Sequence, residues 1–245
     1  MKKTDYIIVI PARYKSSRFP GKPLVEINGK SMIERVWLRC CLAVDKSIVF
    51  VATDDQRIFS HCKDKGIQVI MTSEDCLTGT DRVFEVSKHI DATTYINVQG
   101  DEPLLDPQDI IDVIELAKKN DSDVINAMCK ITDENDFRSS TIPKVVTRPD
   151  GRLLYMSRGA IPTSKNLDFH AAYKQVCIYA FPKKSLQDFS SVKGKTPLES
   201  IEDIEILRFL ELGYEINMLE VSSSSIAVDV PEDVTRVERE LNEVE

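Results

Sequence analysis

The sequence predicts an α/β fold, a mainly parallel sheet flanked by helices with a small β-rich insertion, and three observations carry that prediction. Short apolar, β-branched runs such as YIIVI (6–10), SIVFVAT (47–53) and TTYINVQ (93–99) alternate with segments of helical period. From residue 132 the rhythm breaks, and KVVTRPDGRLLYMSR (144–158) sets a P-D-G turn between two strand-like runs, the signal of an antiparallel hairpin. Helical periodicity returns at 198–213 and again over the C-terminal stretch.

YIIVI is the first strand, and SMIERVWLRCCLAV (31–44) an amphipathic helix. SIVFVAT is the second strand, followed by a helix near 56–65 that Gly66 stops and by IQVIMT (67–72) as the third strand. A helix over about 81–90 leads into TTYINVQ, the central buried strand. DPQDIIDVIELAKKN (106–120) is a helix capped by Asp106, and SDVINAMCKI (122–131) the next strand. After the hairpin, KQVCIYAF (174–181) is a strand, LESIEDIEILRFLELG (198–213) a helix, and EINMLEV (215–221) and SIAVDV (225–230) short strands. PEDVTRVERELNEV (231–244) places Pro at the first helical position and acids in the first turn, as a terminal helix should.

A chain of 245 residues is long enough for one large α/β domain, and its 42% apolar and 29% charged residues are those of a globular protein. The formal charge of −8 argues against a nucleic-acid coat, which needs a basic face. The N-terminal apolar run is too short for a signal segment or a membrane span. The six cysteines form no C-x-x-C pair, and the three histidines fall at none of the usual zinc spacings. The expectation is a cytoplasmic enzyme with reduced thiols.

In open α/β sheets ligands bind beyond the carboxyl ends of the strands, so the loops there deserve the closest reading. IPARYKSSRFPGKPL (10–24) follows the first strand and places Arg13, Lys15, Arg18 and Lys22 in a loop without a single acid. Its Gly and Pro residues allow close backbone approach, which suits a polyphosphate. Neither G-x-x-x-x-G-K-[ST] nor G-x-G-x-x-G occurs. QGDEP (99–103) puts Asp101 at the end of the central strand, placed to hold Mg²⁺ against phosphates, and VDVP (228–231) offers Asp229 as a second strand-end acid. Hydroxyls and a glycine in MTSEDCLTGTDR (71–82) can read a base or ribose, while Asp54 and Asp55 are expected to cap the next helix.

Taken together, IPARYKSSRFPGKPL, VATDD, MTSEDCLTGTDR, INVQGDEP, LYMSRGAIP and VDVPEDV resemble, in order and spacing, the 3-deoxy-manno-octulosonate (Kdo) cytidylyltransferases. The resemblance implies a single Rossmann-like nucleotidyltransferase domain over 1–245, with a dimerisation and sugar-binding β-rich subregion at about 140–190. It implies Mg²⁺-dependent transfer of CMP from CTP to an acidic 2-keto-3-deoxy sugar, for lipopolysaccharide or capsule synthesis, by a homodimer that uses neither nucleic acid nor membrane. Arg13, Arg18, Lys22 and Asp101 are then the catalytic set, with Asp101 and Asp229 on the metal. Arg13, Ser73, Gly79, Thr80, Asp81 and Gln99 surround the nucleotide, and Arg158, Gln175, Tyr179, Glu202, Glu205 and Ile206 the sugar. Lys15 falls outside the matching positions and is expected to be a solvated surface charge.

The sequence departs from the family pattern on the sugar side. Gln175-Val176-Cys177 stands where the family has H-[IL]-G, Ile206 replaces the Gln of E-Q-L-R, and Cys76 stands where His is commoner. A related acid sugar, such as 8-amino-Kdo, another ulosonic acid or a neuraminate-type sugar, is therefore the alternative substrate. A sugar-1-phosphate nucleotidyltransferase is the alternative enzyme, although the G-x-G-[TS]-R loop of those families is absent.

Overall fold

Strand β1 (Thr4–Ala12) is buried from Ile7 onward, and its side chains divide by the period of two: Ile7 and Val9 enter one apolar core, Ile8 and Ile10 the other. A strand apolar on both faces needs helices on both sides, and the rest of the chain supplies them. The computed structural model describes residues 4–15, 19–120, 122–222 and 226–244.

A 3₁₀ turn (Lys22–Leu24) and the small hairpin β2 (Glu26–Ile27) and β3 (Lys30–Ser31) lead into α1 (Met32–Ala43), whose N-cap Ser31 accepts from the Glu34 backbone N–H. Then follow β4 (Val49–Thr53), α2 (Gln56–Asp64), β5 (Val69–Met71), α3 (Gly79–Ser87), β6 (Ala92–Val98), α4 (Pro107–Lys119) and β7 (Val124–Ile131). The second half contains α5 (Glu134–Arg138), the hairpin β8 (Lys144–Thr147) and β9 (Leu153–Ser157), β10 (Ala172–Pro182), α6 (Lys183–Ser191), α7 (Pro197–Glu202), α8 (Ile206–Glu211), β11 (Ile216–Glu220) and α9 (Pro231–Val244).

The sheet order is β11-β7-β10-β6-β1-β4-β5, with the β8–β9 hairpin attached to β10. Pairings are parallel along this path except that β10 runs antiparallel to β6 and β7. Helices α1, α2 and α4 cover one face through Ile33, Val36, Ile58, Ile110 and Val113; α3, α6 and α8 cover the other through Val83, Phe189 and Phe209. The chain passes from β1 to β4 and β5 on one side, then returns to β6 on the other. The crevice beyond the carboxyl ends of β1 and β6 is thus a topological switch point.

Four expectations need correction. The helix expected over 198–213 is broken at Asp203, whose φ of 53° ends α7 and turns the chain toward α8. SIAVDV is not a strand over its described residues 226–230; instead the Val228 N–H donates to the Asp101 carbonyl at 2.9 Å, drawing the segment across the mouth of the sheet. The helix expected over 81–90 begins at Gly79, because Thr78 and Asp81 form a reciprocal capping box. Helices α5 and α6 were not expected; α5, with five residues, is too short to show a period, and α6 follows β10 with no intervening loop.

Candidate active site at the switch point

The cleft opens where β1 and β6 end. Gly100 lets the β6 end lie against β1: a Cβ there would sit 2.9 Å from the Pro11 carbonyl oxygen. One residue on, the Asp101 carboxylate enters the cleft, and Lys22 reaches it from the 3₁₀ turn. Lys22 Nζ donates to Asp101 Oδ2 at 3.0 Å and to the Val228 carbonyl at 2.8 Å, and lies 3.6 Å from Asp229 Oδ1. Asp229 does not cap α9, a task taken by Asp233, which accepts from the Asp229 and Val230 N–H groups. The two acids, 128 positions apart in sequence, therefore converge on one ammonium.

Two chambers meet at these acids. The smaller, about 280 Å³, is lined by Arg13, Lys22, Gly79, Gln99, Asp101, Lys195 and Asp229 among others. The larger, about 630 Å³, is lined by Gln99, Asp101, Ser139, Thr141, Arg158, Lys174, Gln175, Cys177, Tyr179 and Asp229. Gln99, Asp101, Asp203, Glu205 and Asp229 belong to both walls. Volumes of this order suit small polar ligands.

Of the residues expected around the nucleotide, Arg13, Gly79 and Gln99 line the smaller chamber. Ser73 lines neither chamber; its hydroxyl bonds Asp75 and its N–H donates to Glu85. Thr80 is buried, with its N–H and hydroxyl both donating to Glu205, and Asp81 is spent on capping α3 and on Arg208. Arg18 lies outside the described residues. Lys15 meets Glu74 on the open surface. Asp55 caps α2, whereas Asp54 pairs with the buried Arg82 in the wall of the smaller chamber.

Of the residues expected around the sugar, Arg158, Gln175, Tyr179 and Glu205 line the larger chamber. Glu202 lies behind it, accepting from the Ser157 hydroxyl and the Arg158 N–H. Ile206 points away into the core with Leu207 and Phe209, since it opens α8 on the sheet-facing side. Arg158 spends its guanidinium on backbone carbonyls of Ser140, Thr141, Glu202 and Asp203. Glu205 takes the N-terminus of α3, accepting from Gly79 and Thr80, so that a side chain fills the anion-binding end of that helix. Burial pushes the Glu205 carboxyl up, opposed by the Thr80 and Gly79 hydrogen bonds.

Two residues of the walls and one behind them carried little signal in the sequence. Lys174 pairs with Asp136 across the larger chamber, and Lys195 with Asp203 beside the smaller one. Asn126, fully buried on β7, donates to the Val176 and Ile178 carbonyls where β10 bulges, and accepts from Gln175 Nε2 at 2.8 Å. A lone Asn inside the apolar run VINAMCKI was its one sequence signal.

Burial pushes the Cys177 thiol and the Tyr179 hydroxyl well up, and the Cys76 thiol to about 11. None of these is an ionised nucleophile at neutral pH. Two converging carboxylates form a hard-oxygen donor set that suits Mg²⁺, which takes one or two carboxylates and completes its shell with phosphate and water. Among the described residues no group of three or more His, Cys, Asp or Glu side chains forms a larger metal cage. No helix among them is long and apolar enough to cross a membrane.

A family model described as cytidylyltransferase matches residues 7–217. A 3-deoxy-manno-octulosonate cytidylyltransferase of Protochlamydia amoebophila is 39% identical over 238 residues, covering 94% of this chain and 92% of the relative. An 8-amino-3,8-dideoxy-manno-octulosonate cytidylyltransferase of Shewanella putrefaciens is 40% identical over 243 residues, covering 97% and 98%. The solved structure of CMP:2-keto-3-deoxy-manno-octonic acid synthetase complexed with CTP superposes with a TM-score of 0.91 at 35% identity, covering 99% of this chain and 100% of that one. A cytidylyltransferase from Leptospira borgpetersenii, at 16% identity and a TM-score of 0.63, shares the fold. With the sheet, its switch-point cleft and this whole-length similarity agreeing, the chain belongs to the cytidylyltransferase family, among the manno-octulosonate cytidylyltransferases.

Proposed function

We propose that the protein transfers CMP from CTP to the anomeric hydroxyl of Kdo, with Mg²⁺ held by Asp101 and Asp229. The observation that carries this reading is the convergence of Lys22, Asp101 and Asp229 at the junction of two chambers. The smaller chamber, with Arg13, Lys22 and Gln99, takes the nucleotide; the larger, with Arg158, Lys174 and Gln175, takes the sugar acid. Reaction at the junction forms a bond from the sugar oxygen to the α-phosphorus, breaks the bond from that phosphorus to the β-phosphate oxygen, and releases pyrophosphate and the hydroxyl proton. When bound, Mg²⁺ would neutralise phosphate charge and lower the hydroxyl pKa. The chain's own share is to align the two substrates and to offset leaving-group charge with Lys22 and Arg13.

A second reading, the same reaction on 8-amino-Kdo, is supported by the 40% identity with the relative named for 8-amino-3,8-dideoxy-manno-octulosonate. The reading includes a cytoplasmic location and a homodimer. The dimer is supported by Leu154, Leu198 and Ile201, 56%, 38% and 79% exposed, on β9 and on α7, elements joined through Ser157 and Glu202. Pyrophosphate release with CTP against Kdo, 8-amino-Kdo and N-acetylneuraminate tests the whole reading. Turnover with one octulosonate and its near-complete loss in Asp101→Ala are expected; equal turnover in that variant, or none with either octulosonate, refutes it.

A further inference from the structure

We propose that Lys22 competes with the divalent cation for Asp101 and Asp229, so that its ammonium must leave before the cation can enter. The inference rests on the reading of those acids as metal ligands.

Lys22 lines the smaller chamber with its Nζ turned to the two acids. It lies against Asp101 Oδ2, the Val228 carbonyl and Asp229 Oδ1, at 3.0, 2.8 and 3.6 Å, and its side chain is only 15% exposed. That position is the focus of both carboxylates. Without a cation there, two like charges face each other at the end of a buried strand, a costly arrangement. The ammonium removes that cost and holds the segment around Val228 against Asp101.

A Mg²⁺ ion needs carboxylate oxygens at about 2.0–2.1 Å and cannot share their focus with an ammonium in van der Waals range. Lys22 must therefore swing aside on its flexible four-carbon stem. A triphosphate in the smaller chamber, which Lys22 also lines, offers it a new anionic partner. Metal affinity is then weak in the free protein and rises as nucleotide draws the lysine away, which couples arrival of the two ligands.

Mn²⁺ binding to nucleotide-free protein, read by electron paramagnetic resonance, tests this without reference to activity. Lys22→Met and Lys22→Gln are each expected to bind one Mn²⁺ at least about tenfold more tightly than the parent protein. The Gln variant keeps a hydrogen-bond donor for Val228 and guards against a folding defect. Lys195→Met removes a neighbouring charge from the same cleft and is expected to change the affinity by less than about twofold, since charge in solvated clefts is screened. Unchanged affinity in both Lys22 variants, or equal tightening in Lys195→Met, overturns the proposal. Adding Asp101→Asn to Lys22→Met separates the two ideas. Loss of binding there, with Lys22 variants no tighter than the parent, defeats only the competition; persistent tight binding defeats the metal assignment as well.

Discussion

Gly79 and Gly100 show how differently two glycines constrain one site. At Gly100 a Cβ would meet the Pro11 carbonyl at 2.9 Å, and a backbone atom of a strand paired to β4 has nowhere to go. At Gly79 the obstacle is the Gln99 amide, at 2.8 Å, which is the end of a flexible side chain. Gly100→Ala is therefore expected to cost about 2 kcal/mol in urea unfolding. Gly79→Ala, at the first position of α3, should change stability by less than about 1 kcal/mol. Yet it pushes Gln99 off the shared wall of both chambers, so steady-state kinetics should show a raised KM with folding intact. The reverse pattern, a stable Gly100→Ala or a Gly79→Ala with native kinetics, contradicts these contacts.

At the scale of elements, the β8–β9 hairpin is held to the site by a buried cation. Lys144 is fully buried and donates to the carbonyls of Ser139, Ile142 and Arg158, while Arg158 donates to those of Ser140 and Thr141. Together they fix residues 139–143, a wall of the larger chamber. Burial, with the nearby Arg158 charge, holds the Lys144 pKa below that of an ordinary lysine. Lys144→Met removes the buried donor shared by three carbonyls, of which Ser139 keeps the Ile142 N–H, and is expected to lower the unfolding free energy by about 2–4 kcal/mol. Because the wall borders only the larger chamber, the KM for the sugar should rise while that for CTP holds; equal changes in both would show a general loss of structure. No sequence pattern announced this clamp. A lysine at the start of KVVT reads as a surface charge, and only the fold of the hairpin back over 139–143 buries it.

For the whole molecule, the proposed dimer puts Leu154, Leu198 and Ile201 at the interface, on a chain whose charge of −8 otherwise favours solubility as a monomer. Sedimentation velocity should give a dimer for the parent protein and a shift to monomer for Leu154→Glu combined with Ile201→Glu. A parent protein that sediments as a monomer ends this part of the reading.

The sequence by itself determined the layered α/β class, the strand that leads to Asp101, the acid-free cationic loop and the P-D-G hairpin. These depend on local period and turn chemistry, which neighbouring residues settle among themselves. The tertiary structure alone decided which candidates share the cleft. Ile206 and Glu202 sit within a few residues of Glu205, yet helix phase and the left-handed turn at Asp203 send Ile206 to the core and Glu202 behind Arg158. Ser73, Thr80 and Asp81 lie within nine residues of one another, but Ser73 bonds Asp75 and Glu85, Thr80 bonds Glu205, and Asp81 caps α3. Asp229 drew its place from the hydrogen bond that ties Val228 to Asp101 beyond the end of β6, a contact between residues far apart in the chain. Such contacts are fixed by packing and long-range hydrogen bonds, and a local pattern carries no record of them.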